Sequence, residues 1–206
     1  MQLTASQTDA VTELINIGYA RAAGALSDLT GHRIVLQVPR VAIHPIQEVA
    51  TVLSADLQGE VASVHQVFSG PVAGNALLLM DQAGARMLND LLTNETSLNN
   101  SLDGGAREVL TEVGNIVLNA CLGVFGNLLH VQVSFAVPRL HVDSIETVLN
   151  SITVNSVELQ YALTIQTKFF IRQGNVSGYL VIILGITSLS ALLRELESWE
   201  KRQLEF

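Results

Sequence analysis

The strongest constraint on this chain is that it repeats itself. Asp9, Glu13, Asn16 and Pro39 form the pattern D-x3-E-x2-N-x22-P, and Glu108, Glu112, Asn115 and Pro138 form E-x3-E-x2-N-x22-P. Every member returns 99 positions later (108 − 9, 112 − 13, 115 − 16, 138 − 39). Each proline stands in a Val-Pro-Arg tripeptide, Val38-Pro39-Arg40 and Val137-Pro138-Arg139. A further echo, Gly70-Pro71-Val72-Ala73-Gly74 against Gly174-Asn175-Val176-Ser177-Gly178, is offset by 104, so the second copy is about five residues longer in between. Self-similarity at a fixed period marks a repeat architecture. The 206 residues are therefore expected to form a single domain of two internal repeats, about 1–93 and 101–206, joined by a polar linker at 94–100.

Hydrophobic periodicity gives both copies the same element order. A helix is expected from Ser6 to about Leu29, opened by Ser6-x-x-Asp9 and closed by Gly31. A strand follows at Ile34–Val41, then a hairpin of Val61–Phe68 and Val72–Met80, then a helix capped by Asp81 and running to about Leu92. The second copy reads as a helix at Ala106–Asn127, a strand at Val131–Val137, a hairpin at Val157–Ile171 and Val176–Leu184, and a helix from Ser188 to about Leu204. Ile145–Leu149 suits a short helix. The expected fold is α/β: two α-β-β-β-α units related by a pseudo-two-fold and sharing a sheet.

Composition narrows the class. With 49% hydrophobic and 15% charged residues, the chain can build a core without disulfides. Its net charge is −8 and only two of its 11 cations are lysines, Lys168 and Lys201, which argues against nucleic acid as a partner. The single cysteine, Cys121, cannot pair internally and reads as a small buried side chain. The N-terminus has neither a basic nor an apolar signal region, so a cytoplasmic location is expected. No formal charge lies between Glu112 and Arg139, but Asn115, Asn119, Asn127, Gln132 and Ser134 interrupt the stretch, and no membrane insertion is expected.

The motif residues fall on the polar sides of the two long helices. Helical residues advance by about 100°, which gathers Asp9, Glu13 and Asn16 within about 60° of one another. Val11, Leu14, Ile15, Gly18, Ala22, Ala25, Leu26 and Leu29 form the opposing stripe. In the second copy Glu108, Glu112, Asn115 and Asn119 oppose Leu110, Val113, Val117, Cys121, Val124 and Leu128. Small residues along both helices imply close packing. An Asn amide does not titrate, but it can orient a water by hydrogen bonds; a Glu can take a proton or pair with a cation. Neither copy offers a metal cluster, a Ser-His-Asp set or a glycine-rich phosphate loop, and His32, His44, His65, His130 and His141 lack ligand spacing. This set suits a protein that inserts a water-positioning group into a site its partner has already built.

The pattern resembles that of the CheC, CheX and FliY chemotaxis phosphatases. Asn16-Ile17-Gly18, Ala22-Ala23-Gly24-Ala25-Leu26-Ser27, and Val38-Pro39-Arg40-Val41 with Pro45 also look typical of CheC. Two complete motifs point to CheC rather than CheX, and the length is expected to leave no room for the extra C-terminal domain of FliY. FliM is expected to share the fold and lack the Glu-Asn pair. The resemblance implies a substrate, the phosphoaspartate of a phosphorylated CheY-type response regulator, which would supply the Mg²⁺ and an active-site Lys; no cofactor of the chain's own is implied. Asn16 and Asn115 would align the attacking water, Glu13 and Glu112 would dock on the regulator's Lys, and Asp9 and Glu108 would belong to the partner-binding surface. Glu108 departs from the usual Asp or Ser. The resemblance also suggests CheD as a partner, through Asp143–Ser151. The alternative is a non-catalytic interaction module, either a CheD-binding adaptor or a flagellar-switch-like component.

Overall fold

A computed structural model describes residues 3–94, 102–128, 130, 132–153, 159–171 and 174–204. The expected linker, 94–100, lies outside the described residues except for Asn94. The first copy runs α1 (Ala5–Thr30), β1 (Ile34–Pro45), α2 (Ile46–Leu53), β2 (Glu60–Ser69), β3 (Gly74–Asp81) and α3 (Gln82–Thr93). The second runs α4 (Gly104–Leu128), β4 (Ser134–Phe135), β5 (Arg139–Ser144), α5 (Ile145–Thr153), β6 (Leu159–Ile171), β7 (Gly174–Gly185) and α6 (Ile186–Leu204). The short helix expected at Ile145–Leu149 forms as α5 and extends to Thr153, whereas its counterpart α2, after β1, was not among the expected elements.

Both long helices are capped from equivalent positions. Thr4 Oγ1 accepts from the Gln7 backbone N–H at 3.1 Å while Gln7 Oε1 accepts from the Thr4 N–H at 3.0 Å. Asp103, 99 positions after Thr4, accepts from the Ala106 N–H at 2.8 Å. The cap of α1 is therefore Thr4-x-x-Gln7, not Ser6-x-x-Asp9; a Gln at the third position can bond back to the cap, and Asp9 lies too far along to do so. Gly31 closes α1 at φ 69°, as expected.

The seven strands of the described residues join one antiparallel sheet in the order β1-β6-β7-β3-β2-β4, with β5 also paired to β2. The copies exchange strands: β1 lies on β6, and β4 and β5 lie on β2. The two hairpins meet at the centre through β3 and β7. Alternation then sorts side chains to two faces. Leu78 and Met80 of β3 and Leu180 and Ile182 of β7 join α1, α3, α4 and α6 in the larger core. Leu77, Leu79, Val181 and Ile183 join α2 and α5 in the smaller one.

The repeated proline has a structural role. In β1 the pairing register shifts between Gln37 and Arg40, so Val38 and Pro39 fall in an irregularity. In the second copy the break is complete: β4 ends at Phe135, β5 begins at Arg139, and the buried Pro138 stands between them. Proline has no N–H for the ladder and is confined to such breaks and to edge strands. Of the strand expected at Val131–Val137, Val131 lies outside the described residues, and among the rest only Ser134 and Phe135 are strand; Val137 is 84% exposed.

Helices α1 and α4 approach closely where Gly18 faces Cys121: a β carbon on Gly18 would stand 3.0 Å from the Cys121 Cα. Cys121 is fully buried, and burial pushes its thiol pKa up. The apolar stripe of α4 is buried as expected, whereas Leu29 and Ala25 of the α1 stripe are exposed and Tyr19 is buried instead. The Tyr19 hydroxyl bonds Thr167 Oγ1 at 2.5 Å, which makes its burial tolerable. Helix α4 is long and apolar enough to cross a membrane, with a mean hydropathy of 1.5, but its buried side chains belong to the larger core.

Candidate functional site

The two motifs occupy the first halves of α1 and α4. Asp9, Glu13 and Asn16 are all exposed, while Ala10, Val11, Leu14 and Ile15 between them are buried. Glu108 and Glu112 are likewise exposed, and Asn115 is half-buried. The apolar residues anchor each helix to the core, and that anchoring turns the motif residues outward.

The repeat extends further than the four-residue pattern. Thr12 and Thr111, 99 apart, each donate a hydroxyl hydrogen bond to the carbonyl four residues back, Thr8 O and Arg107 O, at 2.7 Å in both cases. Each thereby sits capped beside its Glu. Other contacts seat the helices differently. Gln7 Nε2 donates to Glu197 Oε1 of α6 at 3.0 Å, and Arg107 donates to the Leu140 carbonyl of β5 at 3.2 Å.

At the second site Asn119 Nδ2 donates to Asn115 Oδ1 at 2.7 Å. Asn119 shares the expected polar face, but the repeat does not mark it, because the residue 99 positions earlier is Ala20. The two sites are therefore alike in Glu-Asn spacing and unlike in what holds the Asn.

Among the described residues no group of three His, Cys, Asp or Glu side chains could hold a metal ion. A cleft of about 690 Å³ lies between α2 and α5, on the opposite sheet face from α1 and α4, lined by Gln47, Thr51, Glu146, Asn150 and Tyr161 among others. No motif residue lines it. The motif residues stand on open helix surface, a geometry that suits a macromolecular partner better than an enclosed small substrate. On the α2/α5 face, His65 Nε2 and Asn75 Oδ1 are 2.8 Å apart, and burial lowers the His65 pKa.

No protein-family model matches the sequence. Among solved structures, the fold is similar to FliY of Thermotoga maritima, with a TM-score of 0.75 at 18% identity over 96% of this chain and 99% of that one. The middle domain of FliM from H. pylori matches with a TM-score of 0.65 at 11% identity, over 94% of this chain and 99% of that one. A CheC-like superfamily protein from Shewanella matches with a TM-score of 0.51 at 11% identity, over 88% and 98%. The fold is the CheC-like fold. The reciprocal pairing of β1 with β6 and of β5 with β2, about the central β3 and β7, gives α1 and α4 corresponding positions in the two copies. FliM's likeness shows that the same frame serves more than one protein, so activity must be argued from the motif faces.

Proposed function

We propose that the chain is a chemotaxis phosphatase, closest in kind to CheC, that accelerates hydrolysis of the phosphoaspartate of a CheY-type response regulator in the cytoplasm. The observation that carries this reading is the double presentation of an exposed Glu and an Asn three residues on, from equivalent faces of two long helices. An acyl phosphate needs little covalent help, and in-line placement of water gives the rate. Asn16 and Asn115 place that water. Glu13 and Glu112 dock on the Lys of the regulator, which also brings the Mg²⁺. Asp9 and Glu108, one turn before each Glu, widen the docking surface.

The test is phosphate release from a phosphorylated CheY-type regulator, with and without the protein. Acceleration that vanishes in the N16A/N115A double variant, with Tm unchanged, is the expected result. A double variant as active as the parent sinks the mechanism.

One observation favours a second reading, a non-catalytic interaction module: the FliM middle domain shares the fold over most of the chain. Helix α5 would then be a docking element for a partner such as CheD, since Glu146, Thr147 and Asn150 are exposed along it. Such a module binds without accelerating phosphate release.

A further inference from the structure

One polar contact breaks the equivalence of the two sites. Asn119, a helical turn beyond Asn115, donates from Nδ2 to Asn115 Oδ1 at 2.7 Å. Residues four apart on a helix are neighbours, so this pair needs no distortion. Its counterpart in the first copy is Ala20, whose methyl group can neither donate nor accept. We propose that Asn119 is a positioning residue that fixes the Asn115 carboxamide and makes the second copy the faster of the two sites. The proposal rests on the phosphatase reading above.

The torsion that swings an Asn carboxamide is broad, with two nearly interchangeable ends. Asn16 is exposed and Ala20, four residues on, offers it no hydrogen bond, so its amide can present either oxygen or nitrogen outward. On Asn115 the bond from Asn119 takes one lone pair of Oδ1 and so fixes which way the amide faces. Its Nδ2 and the second lone pair of Oδ1 are left for a water. A group competent in only a fraction of its orientations works at that fraction of its full rate; choosing one of two ends gives about 2-fold, and narrowing the broad torsion as well brings the gain to roughly 3- to 10-fold.

Stability does not explain Asn119. Its Oδ1 is buried and has no hydrogen-bond partner among the described residues. An enclosed, unpaired carbonyl oxygen destabilises a fold. Alanine, the residue at the equivalent position 20, would relieve that penalty.

The test isolates each site. N119A is measured in the N16A background, where only the second site works. A20N is measured in the N115A background, where only the first works; Ala20 is exposed, so this change leaves the core untouched. Expected are a roughly 3- to 10-fold fall in kcat for N119A and a rise for A20N, with the half-saturating regulator concentration held and Tm unchanged or, for N119A, raised. The side-chain amide of Asn115, followed by NMR without any regulator, should become as mobile in N119A as that of Asn16. Unchanged kcat and unchanged amide mobility in N119A overturn the proposal, as does a fall in kcat matched by a fall in Tm. Persistent activity in N16A/N115A would instead condemn the water-placing role of the two Asn, and no acceleration by the parent protein would condemn the phosphatase reading; in either case the NMR comparison would still decide whether Asn119 holds Asn115.

Discussion

A β carbon placed on Gly74 would stand 2.3 Å from the carbonyl oxygen of Ile183 on the neighbouring central strand. The mirror relationship holds between Gly178 and Leu79, at 2.5 Å. The pairs are related by the offset of the second sequence echo (74 + 104 = 178, 79 + 104 = 183). That echo therefore records backbone contact across β3 and β7. Alanine at either position forces the central strands apart. G74A and G178A should each cost about 2–3 kcal/mol in urea unfolding, as over-packed cores do. G74A should be the worse, because its methyl would also meet Phe68 Cζ at 2.8 Å.

Removing the carboxylates should weaken docking more than turnover. Exposed ion pairs contribute about 0.2–1 kcal/mol, so E13A or E112A should raise the half-saturating regulator concentration by about 1.4- to 5-fold per site with kcat nearly unchanged. Added salt should shrink the difference between parent and variant. A fall in kcat alone would give the Glu a role in the chemistry instead.

His65 should make the fold sensitive to acid. Burial depresses its pKa, with His141 and Arg139 opposing its protonation and the Asn75 contact favouring it. A base with a depressed folded pKa binds fewer protons when folded, so its contribution is present above the ordinary value of 6.5 and is lost as pH falls through the folded pKa. Urea unfolding between pH 7 and 5 should show stability falling with pH, less steeply in H65Q.

Tyr179 should act at the other end of the scale. Burial, then the hydrogen bond to Asp56 and that carboxylate's charge, push its pKa up to about 12, against a small opposing effect of Arg40. The folded state keeps a proton that the unfolded chain gives up near 10, so stability is lost as pH rises from about 10 to 12. In D56N, phenolate absorbance should show this titration at lower pH. An unmoved curve would mean that Asp56 contributes nothing.

The long helices were legible because apolar spacing at 3.6 residues anchors one side, and the motif residues were legible because they recur on the other. Helix α2 was not. Its eight residues include the β-branched Ile46, Val49, Thr51 and Val52, which favour strands locally; packing of Val49 and Leu53 into the smaller core decides for a helix. The alternation from Val131 to Val137 resembled a strand, but Pro138 interrupts the ladder and pairing moves to Arg139–Ser144. Periodicity shows which elements form and not which ones meet, so the β1–β6 pairing could not be read from spacing; the i, i+4 placement of Asn115 and Asn119 could be, but not which of the two donates.

The strand exchange gives the duplication a physical meaning. Each repeat lends its first strand to the hairpin of the other, so neither repeat owns a complete sheet. A chain carrying one copy alone would present an open hairpin edge beside a strand with no partner, and both needs are met by a second identical chain turned about a two-fold axis. The molecule is in this sense a homodimer whose subunits have been joined end to end. Once joined, the two halves were free to diverge, which an isologous dimer cannot do, and the Ala20–Asn119 difference is a product of that freedom.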